Sequence, residues 1–151
     1  MANLYFEELE IGTRSVAGPY SVSSDEIIQF AKQYDPVPRH IDEEAAARSV
    51  FGGLTASSAH TFSIFILLAT RRQPQLRVLA VLSFDELRLP HAVRPGDELD
   101  LETTVLEMRE SKSKPDRGIV RTGVLLRNQR HETVLECTST IFVGRRPDSS
   151  P

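Results

Sequence analysis

Apolar positions follow helical spacing in the first half of the chain and strand-like alternation in the second. Residues 14–22 read as a short strand. In "VSSDEIIQFAKQY" Ser23 is placed as an N-cap and Glu26 as its capping-box partner, with Val22 and Ile27 spaced as a hydrophobic staple. Ile27, Phe30, Ala31 and Tyr34 then share one helical face. Pro36 predicts that this helix stops near Tyr34, because a residue before proline avoids the α conformation. Asp42 reads as the N-cap of a short helix through "EEAAARS". After the "FGG" break, residues 56–72 predict a long helix, apolar all round in its middle, as expected of a helix wrapped by protein. Residues 78–89 and the stretches "ELDLETTVLEM", "GIVRTGVLLRN" and "ETVLECTSTIFV" read as strands, separated by turns such as "RPGD". One enclosed helix followed by four long strands is an α+β order, not a βαβ repeat.

Composition narrows this picture. A chain of 151 residues, 40% hydrophobic and 26% charged, suits one domain with a real core. That domain is expected over residues 1–144, and the polar tail 145–151 is expected to be disordered. The net charge of -3, with both signs interleaved, argues against a nucleic-acid surface. The longest apolar run, "IFILLA" at 64–69, is too short to span a bilayer. The acidic start carries no signal-peptide pattern, and one cysteine cannot form an internal disulfide, so a reducing, cytoplasmic setting is expected. No Cys/His cluster suggests a metal.

Two stretches carry candidate chemistry. "YDPVPRH", 34–40, sets Asp35 and His40 in a segment that its prolines predict to be stiff and extended. Held in one cleft, a carboxylate and an imidazole serve acid–base chemistry. Read alone, the same spacing is also met in ordinary turns, because Asp-Pro commonly starts one. "TASSAH", 55–60, opens the long helix. Its free N–H groups can face an oxyanion, or Thr55 or Ser57 can simply cap the helix. Among the other residues, His60 reads as a structural histidine or a pocket wall, and His91 and His131 as solvent-facing. Cys137 reads as an inert buried thiol, and Phe30, Phe62 and Phe65 as core.

"YFEELEIGT", "FAKQYDPVPRHIDEEAAARSVFGG", "TASSAHT" and "ELRLPHAVRPGDEL" occur in the order and spacing of MaoC-like dehydratases. The chain resembles this family, which includes the (R)-specific enoyl-CoA hydratases, from about residue 5 to 143. Asp35, His40 and Ala46 match its Asp-x4-His-x5-small pattern. The resemblance implies a hot-dog fold, a homodimer and an acyl-CoA substrate, with no cofactor beyond the coenzyme A that the substrate carries. It implies that Asp35 and His40 hold a water for addition across the 2,3 bond of an enoyl-CoA, or remove it in reverse. Ser57 and Ser58 would face the thioester oxygen, Ser63 would support the site, and Arg39 and Arg88 (with Arg94) would meet the coenzyme phosphates. Val37 and Arg39 stand where these hydratases usually carry Asn and an aliphatic residue, and Ser57-Ser58 where they usually carry His-Gly. Thioester hydrolysis, or a non-catalytic acyl-CoA-binding or dimer-partner role, are the alternatives.

Overall fold

The computed structural model describes residues 3–147. A 3-10 turn at Phe6–Glu8 leads into strand β1 (Arg14–Ser21). Helices α1 (Ser24–Tyr34), α2 (Pro38–Ile41), α3 (Glu43–Ala47) and α4 (Ser58–Ala69) follow. Strands β2 (Val78–Arg88), β3 (Glu98–Glu110), β4 (Arg117–Arg127) and β5 (Thr133–Gly144) complete the chain. All five strands form one antiparallel sheet in the order β1-β3-β4-β5-β2. Helix α4 lies on its inner face, in contact with β1, β3 and β5.

Strand periodicity decides what α4 meets. Along β4, β5 and β3 as far as Val105 every second residue is buried, so Leu99, Leu101, Val124, Leu126, Leu135 and Cys137 point inward against Ile64, Phe65 and Leu68 of α4. Each such side chain contributes about 1.5–3 kcal/mol through its removal from water. A second apolar cluster, with Val105, Val120, Ile141 and Val143, fills the other end under Leu4, Phe6 and Leu9. Between the two, the same inward positions hold hydroxyls: Thr103, Thr122 and Ser139, all buried. Thr122 and Ser139 face each other across the β4–β5 pair at 2.8 Å. A polar row therefore crosses the core.

Caps set the helix limits. Ser23 accepts a hydrogen bond from the Glu26 N–H, and Asp42 accepts from Glu44 and Ala45. The capping box is only half made, because the Glu26 carboxylate turns inward. Helix α4 spans 58–69, not the expected 56–72: Ser57 caps it, and residues 55–56 lie outside the helix, with the Ala56 N–H bonded to the Val93 carbonyl. The stiff segment after Asp35 is not extended throughout. Val37 is (φ -89°, ψ 147°), but Pro38 sits at the first position of a helical turn, where its missing N–H costs nothing. The tail is tied down further than expected, for Arg145 and Arg146 pair with Glu7 and Glu8; its last four residues, 148–151, lie outside the described residues. Nor is α4 wrapped on all sides: Ser63 and Ile66 are exposed.

Candidate active site

Helix α1 ends at Asp35, whose backbone leaves the helical region (φ -156°, ψ 67°) while its N–H still bonds to the Ala31 carbonyl. Three residues on, Pro38 starts the turn that carries His40. The prolines thus deliver the two side chains from a helix end and a helical turn. Asp35 Oδ2 lies 3.7 Å from His40 Nε2. His40 is buried, with a side chain 6% exposed; that of Asp35 is 31% exposed and reaches solvent.

The other nitrogen fixes the tautomer. His40 Nδ1 lies 2.7 Å from the Thr55 carbonyl oxygen, which only accepts, so Nδ1 carries the proton and donates it. In the neutral ring Nε2 is then a lone pair aimed toward Asp35. Two acceptors 3.7 Å apart cannot bond each other directly. A water about 2.8 Å from each can donate to both.

Both groups open into a cavity of about 400 Å³. Ser58, Thr55, Ala56 and Thr61 form one wall, Leu89–Val93 another, and Val50 and Phe51 the lip. The walls are fastened: Arg94 donates from Nη2 to the Phe51 carbonyl at 2.7 Å. Ser58 is the first residue of α4, and its N–H has no acceptor among the described residues. Its φ is not positive, so a serine in this place carries no backbone strain.

The cavity thus gathers Asp35, His40, Ser58 and Arg39 from the sequence-predicted set. It does not gather the others. Ser57 is 1% exposed and its oxygen accepts from Ala59, which is the capping role. Ser63 is exposed and its hydroxyl donates to the Ala59 carbonyl. Arg88 lines a separate depression on strands β2–β5, beside Glu86. His91, expected to face solvent, is exposed but also lines the cavity, with Nδ1 3.1 Å from the Thr133 carbonyl. Thr55 was missed as a tautomer lock, since a backbone carbonyl leaves no mark in a sequence.

His60 faces away from this cavity. Its Nε2 donates to Glu26 at 2.7 Å, Tyr20 donates to the same carboxylate at 2.6 Å, and its ring stacks on Phe30 with centroids 4.6 Å apart. Burial and the Glu26 hydrogen bond push the Tyr20 phenol up to about 12. Cys137 is buried, and desolvation raises its thiol to about 11, as an inert cysteine requires. Phe62, Phe65 and Phe84 meet edge to face within the core.

A helix laid on a curled five-stranded antiparallel sheet is the hot-dog fold. The sequence signature of the MaoC-like domain matches residues 8–128, and the chain belongs to that family. It is 42% identical to a MaoC-like dehydratase from Rhodospirillum rubrum of known crystal structure, with a TM-score of 0.86 over 96% of this chain and 99% of that one. It is 27% identical to the 3-hydroxybutyryl-CoA dehydratase of Methylorubrum extorquens, over 98% of this chain and 89% of the relative. A Mycobacterium tuberculosis protein whose structure is described as a double hot-dog fold shares the fold alone: TM-score 0.82, 21% identity, 99% of this chain and 46% of that one.

Proposed function

We propose that the protein adds water across the 2,3 double bond of an enoyl-CoA thioester, or removes it from the 3-hydroxyacyl-CoA. The observation that carries this reading is the Asp35–His40 pair: 3.7 Å apart, in one cavity, with the imidazole tautomer fixed by Thr55. A water held between the carboxylate and Nε2 is aimed at C3. As its oxygen bonds to C3, one of its protons passes to the pair and a proton is delivered to C2. The electron pair of the double bond becomes the new C2–H bond by way of the enolate. The enolate oxygen is met by the Ser58 N–H at the positive end of α4. No metal or prosthetic group enters these steps. Arg39, exposed at the cavity, would meet a phosphate of coenzyme A.

A homodimer belongs to the same reading. Strand β2 is a sheet edge, and Val78, Leu79, Val81, Leu82 and Leu87 on it are each 38–48% exposed. An apolar edge strand of that length invites pairing with a second copy.

Purified protein with crotonyl-CoA should lose enoyl absorbance and give the 3-hydroxyacyl product. Release of free coenzyme A would assign hydrolysis instead. No turnover across several chain lengths would leave an acyl-CoA-binding role.

A further inference from the structure

The geometry of Asp35 and His40 recurs at the same cavity. His91, in the Leu89–Val93 wall, has Nδ1 3.1 Å from the Thr133 carbonyl oxygen, which only accepts, so Nδ1 carries a proton here as well. In the neutral ring Nε2 is then a lone pair, 3.8 Å from Glu132 Oε2. Asn128 and Arg130 both donate to the other carboxylate oxygen, Oε1, at 2.8 and 2.9 Å. They hold the Glu132 carboxyl below the usual carboxylate range and leave Oε2 turned to the imidazole. A carbonyl thus fixes the ring, two donors fix the carboxylate, and two acceptors stand side by side. A hydrogen-bond donor fits between them.

The two pairs differ in burial. The side chains of His91 and Glu132 are 53% and 36% exposed, against 6% for His40, so the second pair suits binding and not a proton transfer sheltered from water. Neither residue belongs to strand β2, the edge offered to a second copy. The chemistry of the substrate decides which donor the pair takes. A phosphate is ruled out, because the Glu132 carboxylate repels it. The enoyl carbons and the thioester carry no N–H or O–H. Moving from C3 toward the coenzyme, the first donor is the amide N–H two carbons beyond sulfur, about 7 Å from C3 in an extended chain. A cavity of about 400 Å³ is roughly 9 Å across, so C3 at the Asp35–His40 water brings that N–H within reach of another wall.

We infer that His91, with Glu132 behind it, binds the cysteamine amide N–H of the thioester arm. This rests on the proposed reaction, which sets C3 at the shared water. His91 is then a substrate-binding residue, and the substrate class is thioesters whose arm carries an amide near the sulfur. The contact holds the arm equally before and during reaction, so it bears on affinity and not on the chemical step.

The test compares crotonyl thioesters of coenzyme A, of N-acetylcysteamine, which keeps the amide and lacks the phosphates, and of butanethiol, which has neither. His91→Phe keeps a ring in the wall and removes the acceptor. It should raise KM about three- to tenfold for the first two and leave the third unchanged, with kcat within about twofold for all three. A rise confined to the coenzyme A thioester would assign His91 to the phosphates, equal rises for all three would make it only a wall, and no rise would remove it from binding; each overturns the assignment. Calorimetric titration with the butyryl thioesters of coenzyme A and N-acetylcysteamine, which have no double bond to hydrate, keeps this contact apart from the reaction. Binding weakened about three- to tenfold by His91→Phe for both supports the contact even where no enoyl thioester turns over. Unchanged binding overturns it even where hydration proceeds.

Discussion

Replacing Asp35 by Asn keeps the shape of the side chain and removes its charge and its capacity to take a proton. The cost follows from the geometry. As water gives up a proton, the imidazole becomes cationic 3.7 Å from the carboxylate. At an effective dielectric of about 20, one unit charge at that distance attracts another by roughly 4 kcal/mol. Asp35 is 31% exposed, so solvent takes part of this, and about 2–4 kcal/mol of transition-state stabilisation remains. That range is roughly a 30- to 1,000-fold fall in kcat, within the span of general acid–base effects. Stability should barely move, by about 0.5 kcal/mol or less, because the carboxylate caps no helix and lies partly in solvent. The assay is loss of enoyl absorbance with crotonyl-CoA, alongside a thermal melt on the same sample. A variant retaining more than a third of wild-type kcat would refute the shared-water mechanism. One that lost activity and several degrees of melting temperature together would show Asp35 to be structural.

Three further outcomes are expected. Because burial and Glu26 raise the Tyr20 phenol to about 12, the folded state keeps a proton that the unfolded chain loses above about pH 10; stability is fully present below that pH and falls between 10 and 12. Tyr20→Phe should flatten that alkaline slope by about 1 kcal/mol, allowing for partial exposure, in urea titrations at pH 9 and 11.5; an unchanged slope would count against the assignment. Leu135→Ala, at a position 0% exposed between sheet and α4, should cost about 2–5 kcal/mol by urea unfolding, and a loss under 1 kcal/mol would mean the site collapses around the smaller side chain. Leu82→Lys on the exposed edge should yield monomer in sedimentation velocity; a persisting dimer would place the interface on another face.

Much of the fold was legible because the relevant signals are local. Ser23, Asp42 and the prolines mark helix ends through backbone chemistry that operates within four residues. Alternation along 98–110 and 117–144 marks strands whatever they pair with. The α4 boundary was misread because Ala56 bonds to Val93, 37 residues away, and the Thr55 carbonyl is taken by His40. The Asp35–His40 pairing was also local. The segment between them was misjudged as extended throughout, since proline is equally at home opening a helical turn. Thr55 as the tautomer lock, His91 in the cavity wall, and the displacement of Arg88 and Ser63 from it depend on how distant strands and helices meet. The inward turn of Glu26 was hidden for the same reason, because its partners Tyr20 and His60 come from a strand and another helix.

That inward turn has a mechanical consequence. Glu26 ties β1, α1 and the opening turn of α4 at one point, and Phe30, one turn further along α1, lies flat on His60. Helix α1 is thereby braced against α4 like the strut of a truss, with Asp35 at its free end. The spacing between the carboxylate and the first amide of α4 is surveyed from that knot. Tyr20, Glu26, Phe30 and His60, none of which lines the Asp35–His40 cavity, thus hold the gauge between the two sides of that cavity.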